Sequence, residues 1–178
     1  MNSNNRLLPQ KDRITIEEEN LKRVTKWIQA SDAKIGTILA FQAGLIAFLA
    51  TKGNEIGQIL TLNQINNTSA PLVLALLVFL LSSLYSLKEA FSGLFPDTKT
   101  RTISLIFFGS IPAFGVDKFK RNFQNLSYND YEDELLSQIY VNSSIASKKF
   151  NHVKNSIKGL FVAGIAWLVI LILVPILL

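Results

Sequence analysis

Residues 159–178 read GLFVAGIAWLVILILVPILL, twenty positions with no charge and no polar side chain beyond the Trp167 indole. At about 1.5 Å per residue this is enough helix to cross a hydrocarbon layer of about 30 Å. The run lacks the period-two alternation of a barrel strand, and lipid leaves helices and closed barrels as the only ways to satisfy a backbone. A buried helix of a soluble protein would need a large surrounding core. Two further apolar runs, at about 35–51 and 71–91, predict instead an all-α membrane protein with three transmembrane helices.

The composition agrees. Of 178 residues, 49% are hydrophobic and 17% charged, a balance suited to a small integral membrane protein organised as a single domain. The net charge of +5 is not a nucleic-acid signature, because the cations follow the spans. Residues 1–34 carry seven Lys and Arg, 51–70 carry one, and 88–158 carry ten. Positive residues mark the cytoplasmic side, which predicts a cytosolic N-terminus, an external loop at 52–70 and a cytosolic region at 92–158. No cleavable signal peptide is expected, since the first 34 residues are polar.

Residues 1–14 are polar and are expected to be disordered. Thr15 to Glu18 has the pattern of a capping box, which predicts a helix starting near residue 15 with a narrow stripe of Leu21, Val24, Ile28 and Ile35. Within the first span, Asp32, Gly36, Ala40, Ala43 and Ala47 fall on one side at about 100° per residue, a small-residue stripe topped by a carboxylate. Gln42 lies nearly opposite, in line with Ser31, and is expected to face another helix or another subunit rather than lipid. Residues 52–70 have the composition of a loop. Pro71 belongs in the first turn of the second span, whose polar face carries Ala75, Ser82, Ser86, Glu89 and Gly93 and should pack inward.

Beyond Gly93 the apolar run 103–111 is too short to cross a bilayer and reads equally as a strand, an interfacial segment or a plug. Asp117 to Asn122, with Lys118, Lys120 and Arg121, forms a basic patch suited to anionic lipid or an anionic ligand. Ser127 with Asp130 signals a second helix start, and Leu135, Ile139, Asn142, Ala146, Phe150, Val153 and Ile157 recur at threes and fours into the last span. One helix of about 128–178 follows, roughly 75 Å long, whose first part should pair with the stripe of the first helix to make a stalk. At the depth of Asp32, either Lys88 or Lys158 is expected to neutralise it.

Little in the chain suggests catalysis. With no cysteine and a single histidine, His152, expected to be solvated beside Lys148, Lys149 and Lys154, neither a metal site nor a histidine-dependent nucleophile is expected. Neither spacing of a glycine-rich phosphate loop occurs. No enzyme activity and no cofactor are expected. A small transporter would show repeated halves with broken helices, which these unequal spans lack.

Three motifs carry a resemblance. Ser31-Asp32-Ala33-Lys34-Ile35-Gly36 at the mouth of the first span resembles the SDxKxG segment of the transmembrane effectors of bacterial Pycsar antiphage systems. Phe107-Phe108-Gly109-Ser110-Ile111 resembles their FFG segment, and Gln138-Ile139-Tyr140 with Lys148-Lys149-Phe150 resembles their run into the last span. The similarity covers about residue 20 to the end. It implies an inner-membrane effector that answers to a cyclic pyrimidine nucleotide, cCMP or cUMP, and compromises the membrane in abortive infection. For such a ligand the cations of 94–127, Arg101, Lys118, Lys120 and Arg121, are the expected partners of the phosphate. Asp32, Lys34, Gly36, Gln42, Ser82, Ser86, Lys88, Glu89 and Lys158 are then the candidates for gating or bundle packing, in a homo-oligomer embedded in the bilayer. The competing class is a constitutive scaffolding membrane protein whose stalk binds a partner.

Overall fold

The computed structural model describes residues 8–62, 69–95, 104–107 and 109–178. Among them are five α-helices, α1 (Gln10–Thr51), α2 (Gly53–Leu62), α3 (Ala70–Leu94), α4 (Val116–Gln124) and α5 (Tyr128–Leu177), with a 3-10 turn at Ile111–Phe114 and no strand. Three of them, α1, α3 and α5, are long and apolar enough to cross a membrane. The all-α membrane fold expected from the sequence is therefore observed. The chain divides into two compact units, one of residues 1–30 and 97–147, the other of 31–96 and 148–178.

In the unit of residues 31–96 and 148–178, two apolar clusters hold the three long helices together. Ile35 and Ile38 meet Ala90 and Val153 in one. Leu45, Leu72, Ala75, Phe79, Ala163, Ile170 and Val174 build the other. Glycine sets two of the close approaches. A Cβ on Gly159 would stand 3.0 Å from the Ser82 carbonyl and from the Ser86 amide, and one on Gly93 would stand 2.8 Å from Ile35 Cδ1. Small residues at such points let helix backbones approach where lipid removes the usual hydrophobic incentive. Leu81 and Phe161 are 65% and 68% exposed, and Phe41, Leu74 and Ile172 are exposed with them, an apolar exterior that a bilayer satisfies and water would not.

Two boundaries differ from expectation. Residues 53–62 are helical where a loop was expected, because Ile56, Ile59 and Leu60 recur at three and four and pack on the second cluster beneath polar neighbours. The α1 helix begins at Gln10, five residues earlier than the capping signal. Pro9 supplies the carbonyl for the Asp12 and Arg13 amides, and the Thr15 hydroxyl donates to the Lys11 carbonyl at 3.0 Å instead of capping. The expectation of disorder therefore fails for residues 10–14, and residues 1–7 lie outside the described set.

In the unit of residues 1–30 and 97–147, the first turns of α1 and α5 are joined by polar contacts that the apolar stripes did not foretell. Arg13 holds Glu132 in a two-pronged ion pair, Nε to Oε1 at 2.6 Å and Nη2 to Oε2 at 3.0 Å, and Gln10 Nε2 donates to Asn129 Oδ1 at 2.6 Å. Ser127 caps α5 by accepting the Asp130 amide at 3.1 Å, as its position predicted. Leu135, Gln138 and Ala146 face inward. Residues 104–107 form neither strand nor helix, since the Glu134 carboxylate gathers them, accepting from the Ser104 hydroxyl at 2.9 Å and from the Leu105 and Ile106 amides at 3.0 and 3.2 Å. Gly115, at φ 70° and ψ 154°, turns the chain from the 3-10 segment into α4, a conformation that favours glycine.

Candidate functional site

The buried polar groups of the three long helices form one candidate. On α1 the sequence brings Ser31 and Asp32 to the helix position where Ile35 enters the first apolar cluster. Asp32 is bound by Lys149 of α5, whose side chain is 6% exposed against 44% for the carboxylate. Neither expected partner serves. Lys88 is 74% exposed and reaches only its neighbour Glu89, at 4.0 Å, and Lys158 points outward. Lys149 takes the role because it follows the buried Ala146 and precedes the buried Val153 at helical spacing, so its long stem lies along the apolar seam. Lys34 instead sets its ammonium 5.2 Å over the Phe150 ring.

One turn along α3, Glu89 is buried, and His152 Nδ1 lies 2.9 Å from its Oε2. Asn155 adds a longer contact at 3.4 Å to the same oxygen. The expectation of a solvated His152 is thus overturned. Gly93 on α3 lets α5 come close at this point, since a Cβ at that position would stand 3.1 Å from His152 Cβ. Ser86 and Ser156 complete the layer, each hydroxyl donating to the other residue's carbonyl, at 2.9 and 2.8 Å.

The inward polar face of α3 is thus confirmed for Ala75, Ser86, Glu89 and Gly93. Ser82 is half-exposed and returns its hydroxyl to the Val78 carbonyl at 2.6 Å, and its neighbour Ser83 is buried instead. Gln42 is fully buried, as its placement opposite the small-residue stripe implied, yet neither amide atom has a hydrogen-bond partner among the described residues. The Ser83 hydroxyl is in the same condition. Gly36, Ala40, Ala43 and Ala47 lie on the exposed side of α1.

A second candidate lies in the unit of residues 1–30 and 97–147. A cleft of about 490 Å³ runs between α1 and α5 beside Ile106 and Phe107. Tyr131 lines it and donates its hydroxyl to Glu18 Oε1 at 2.9 Å, and burial together with that carboxylate raises the phenol's pKa. Glu17 is raised above the usual carboxylate range, chiefly by burial and then by the charge of Glu132. Glu132 is lowered by the hydrogen bond from Arg13, whose guanidinium is raised in turn. The expected ligand cations Lys118, Lys120 and Arg121 stand exposed on α4, which buries no residue, and Arg101 lies outside the described residues. No group of three metal-binding side chains occurs among the described residues.

Residues 17–177 match the protein family described as PycTM, the Pycsar effector protein domain. The chain belongs to the Pycsar effector family. It is also similar to the Pycsar effector protein GmPycTM of Gulbenkiania mobilis, 27% identical over an alignment 172 positions long, with 85% of this chain and 88% of that one covered. No solved structure matches. The matched region starts at Glu17 and takes in both candidates, and membership gives this Pycsar effector the role of a bacterial antiphage effector that resides in a membrane.

Proposed function

We propose that this Pycsar effector sits in the bacterial inner membrane as a homo-oligomer with its N-terminus and residues 92–158 in the cytosol, and that a cyclic pyrimidine nucleotide, cCMP or cUMP, drives it to permeabilise that membrane. It acts without catalysing a reaction, and the loss of the membrane barrier ends infection together with the cell. The observation that carries this reading is the polar interior of the three long helices. A constitutive scaffold gains nothing from burying Lys149, Glu89 and Gln42 among membrane helices, because each charge or amide there costs free energy unless it is paired. A bundle that must rearrange gains a great deal, since pairs such as Asp32 with Lys149 and Glu89 with His152 hold one arrangement and release it when they separate.

The oligomer is supported by the outward stripe of Gly36, Ala40, Ala43 and Ala47, a surface on which a neighbouring helix can seat closely. The orientation is supported by the cation distribution along the sequence. The test is dye release from liposomes carrying the purified protein, with cCMP, cUMP, cAMP or no nucleotide added. Release that begins only with a pyrimidine cyclic nucleotide is expected. Equal release in every arm, or none in any, refutes the proposal.

A further inference from the structure

Gln138 is 6% exposed, and its carboxamide makes no hydrogen bond among the described residues. It lines the cleft between α1 and α5, on the same helix face as Asn142 one turn later, which lines it too and whose side chain is likewise without a hydrogen bond. Each carboxamide presents one donor edge and one acceptor edge. Gln138 is a buried residue and Asn142 a partly exposed one, and with no protein partner their amide edges are open to a ligand that enters the cleft. The ligand that matches them best is a flat ring whose rim alternates donors and acceptors. The remaining walls suit the same shape. Leu135 is apolar, the Tyr131 hydroxyl is fixed by Glu18, and the Phe107 ring is set at the cleft by Gly109, where a Cβ would stand 2.6 Å from Phe107 Cε1.

Size and charge narrow the ligand further. A cleft of about 490 Å³ takes one heterocycle with its sugar and no polymer. Among the described residues Lys22 is the cation that lines it, beside the Glu18 carboxylate that accepts from Tyr131. One ammonium beside a carboxylate can meet a singly charged phosphodiester and is poorly suited to a di- or triphosphate.

We infer that this cleft, and not the exposed cations of α4, is the receptor site for a cyclic mononucleotide. Gln138 and Asn142 read the edge of the base, Phe107 contacts its face, and Lys22 meets the cyclic phosphate. The inference rests on the proposed response to a cyclic nucleotide, and it adds the place where that nucleotide is recognised.

The experiment measures binding and membrane release separately, on the full chain in lipid nanodiscs and in dye-loaded liposomes. The probes are cUMP, cCMP and cAMP, with ribose 5-phosphate as a ligand that lacks a base. Gln138→Leu removes the carboxamide at similar volume. Without nucleotide it should unfold at the same temperature as the parent or higher, because an unmatched buried amide has gone. Its affinity for the bound cyclic nucleotide should fall at least tenfold. Lys22→Gln should weaken binding several-fold and flatten its salt dependence. The triple variant Lys118→Gln, Lys120→Gln, Arg121→Gln should bind as the parent does. Binding that survives Gln138→Leu, or that is lost in the α4 triple variant, overturns the site, and so does ribose 5-phosphate binding as tightly as any cyclic nucleotide. Nucleotide-triggered release that Gln138→Leu leaves intact also overturns the site while the membrane reading stands. Gln138-dependent binding with no release in liposomes supports the site while the membrane reading falls.

Discussion

Asp32→Asn and Lys149→Met remove the two ends of one ion pair, and the structure predicts very unequal consequences. The Lys149 side chain is 6% exposed and that of Asp32 is 44% exposed. Asparagine at 32 strands a buried ammonium, whereas methionine at 149 leaves a carboxylate that water already reaches. Breaking a fully buried pair costs about 3–5 kcal/mol and an exposed pair contributes about 0–1 kcal/mol. With one partner half-exposed, Asp32→Asn should cost about 2 kcal/mol, Lys149→Met less than about 1 kcal/mol, and the double variant should lie close to the parent, leaving a coupling of at least about 1 kcal/mol. In a chain of this size about 2 kcal/mol moves the unfolding midpoint by roughly 4–8 °C. The assay is thermal unfolding of the four proteins in nanodiscs of one lipid composition, with Lys34→Gln as a control expected to cost about 0.5 kcal/mol through its contact with Phe150. Growth and membrane potential of cells carrying each variant at matched abundance show whether the pair also restrains activity. An Asp32→Asn variant no less stable than Lys149→Met would refute the reasoning, because the order follows from which end is buried.

Gly159→Val places carbon within 3.0 Å of the α3 backbone at Ser82 and Ser86, and should lower stability by about 1–3 kcal/mol, where Gly36→Val, which meets nothing, should change it little; equal midpoints for the two would contradict the close approach. The raised pKa of Glu17 means that the folded chain holds this proton more tightly than the unfolded one. Its penalty is therefore absent at low pH and grows as pH rises from the unfolded value towards the folded one, while the Arg13 and Glu132 pair contributes above the usual carboxylate range and is lost on acidification. Glu17→Gln should accordingly raise stability at neutral pH and have no such effect in acid, as read from denaturant midpoints across pH, and a gain of the same size at both ends would exclude the assignment. Reporter fusions after Asn63 and after Asn125 should give opposite signals, and matching signals would overturn the three-span topology.

The sequence showed the spans because apolar length is a one-dimensional property, and it showed the α5 start because Ser127 and Asp130 sit at capping distance along the chain. Periodicity also placed Gln42, Ser86 and Glu89 on inward faces, since a helical wheel needs no knowledge of neighbours. It did not reveal who meets whom. Depth alone points to Lys88 or Lys158 for Asp32, whereas the partner is Lys149, whose place between Ala146 and Val153 on the buried seam is itself visible in the spacing. The signal that would have found it is a lone cation on an otherwise apolar helix face, which must be paired or pay for its burial. His152 departs from expectation for the converse reason. Its neighbours in sequence are lysines, but its neighbours in space are Gly93 and Glu89 on another helix, and the missing Cβ of that glycine lets the two helices come close enough for the imidazole to reach the carboxylate. Where function requires charge inside a membrane bundle, composition along one helix is a poor guide, and the small residue on the facing helix is the better one.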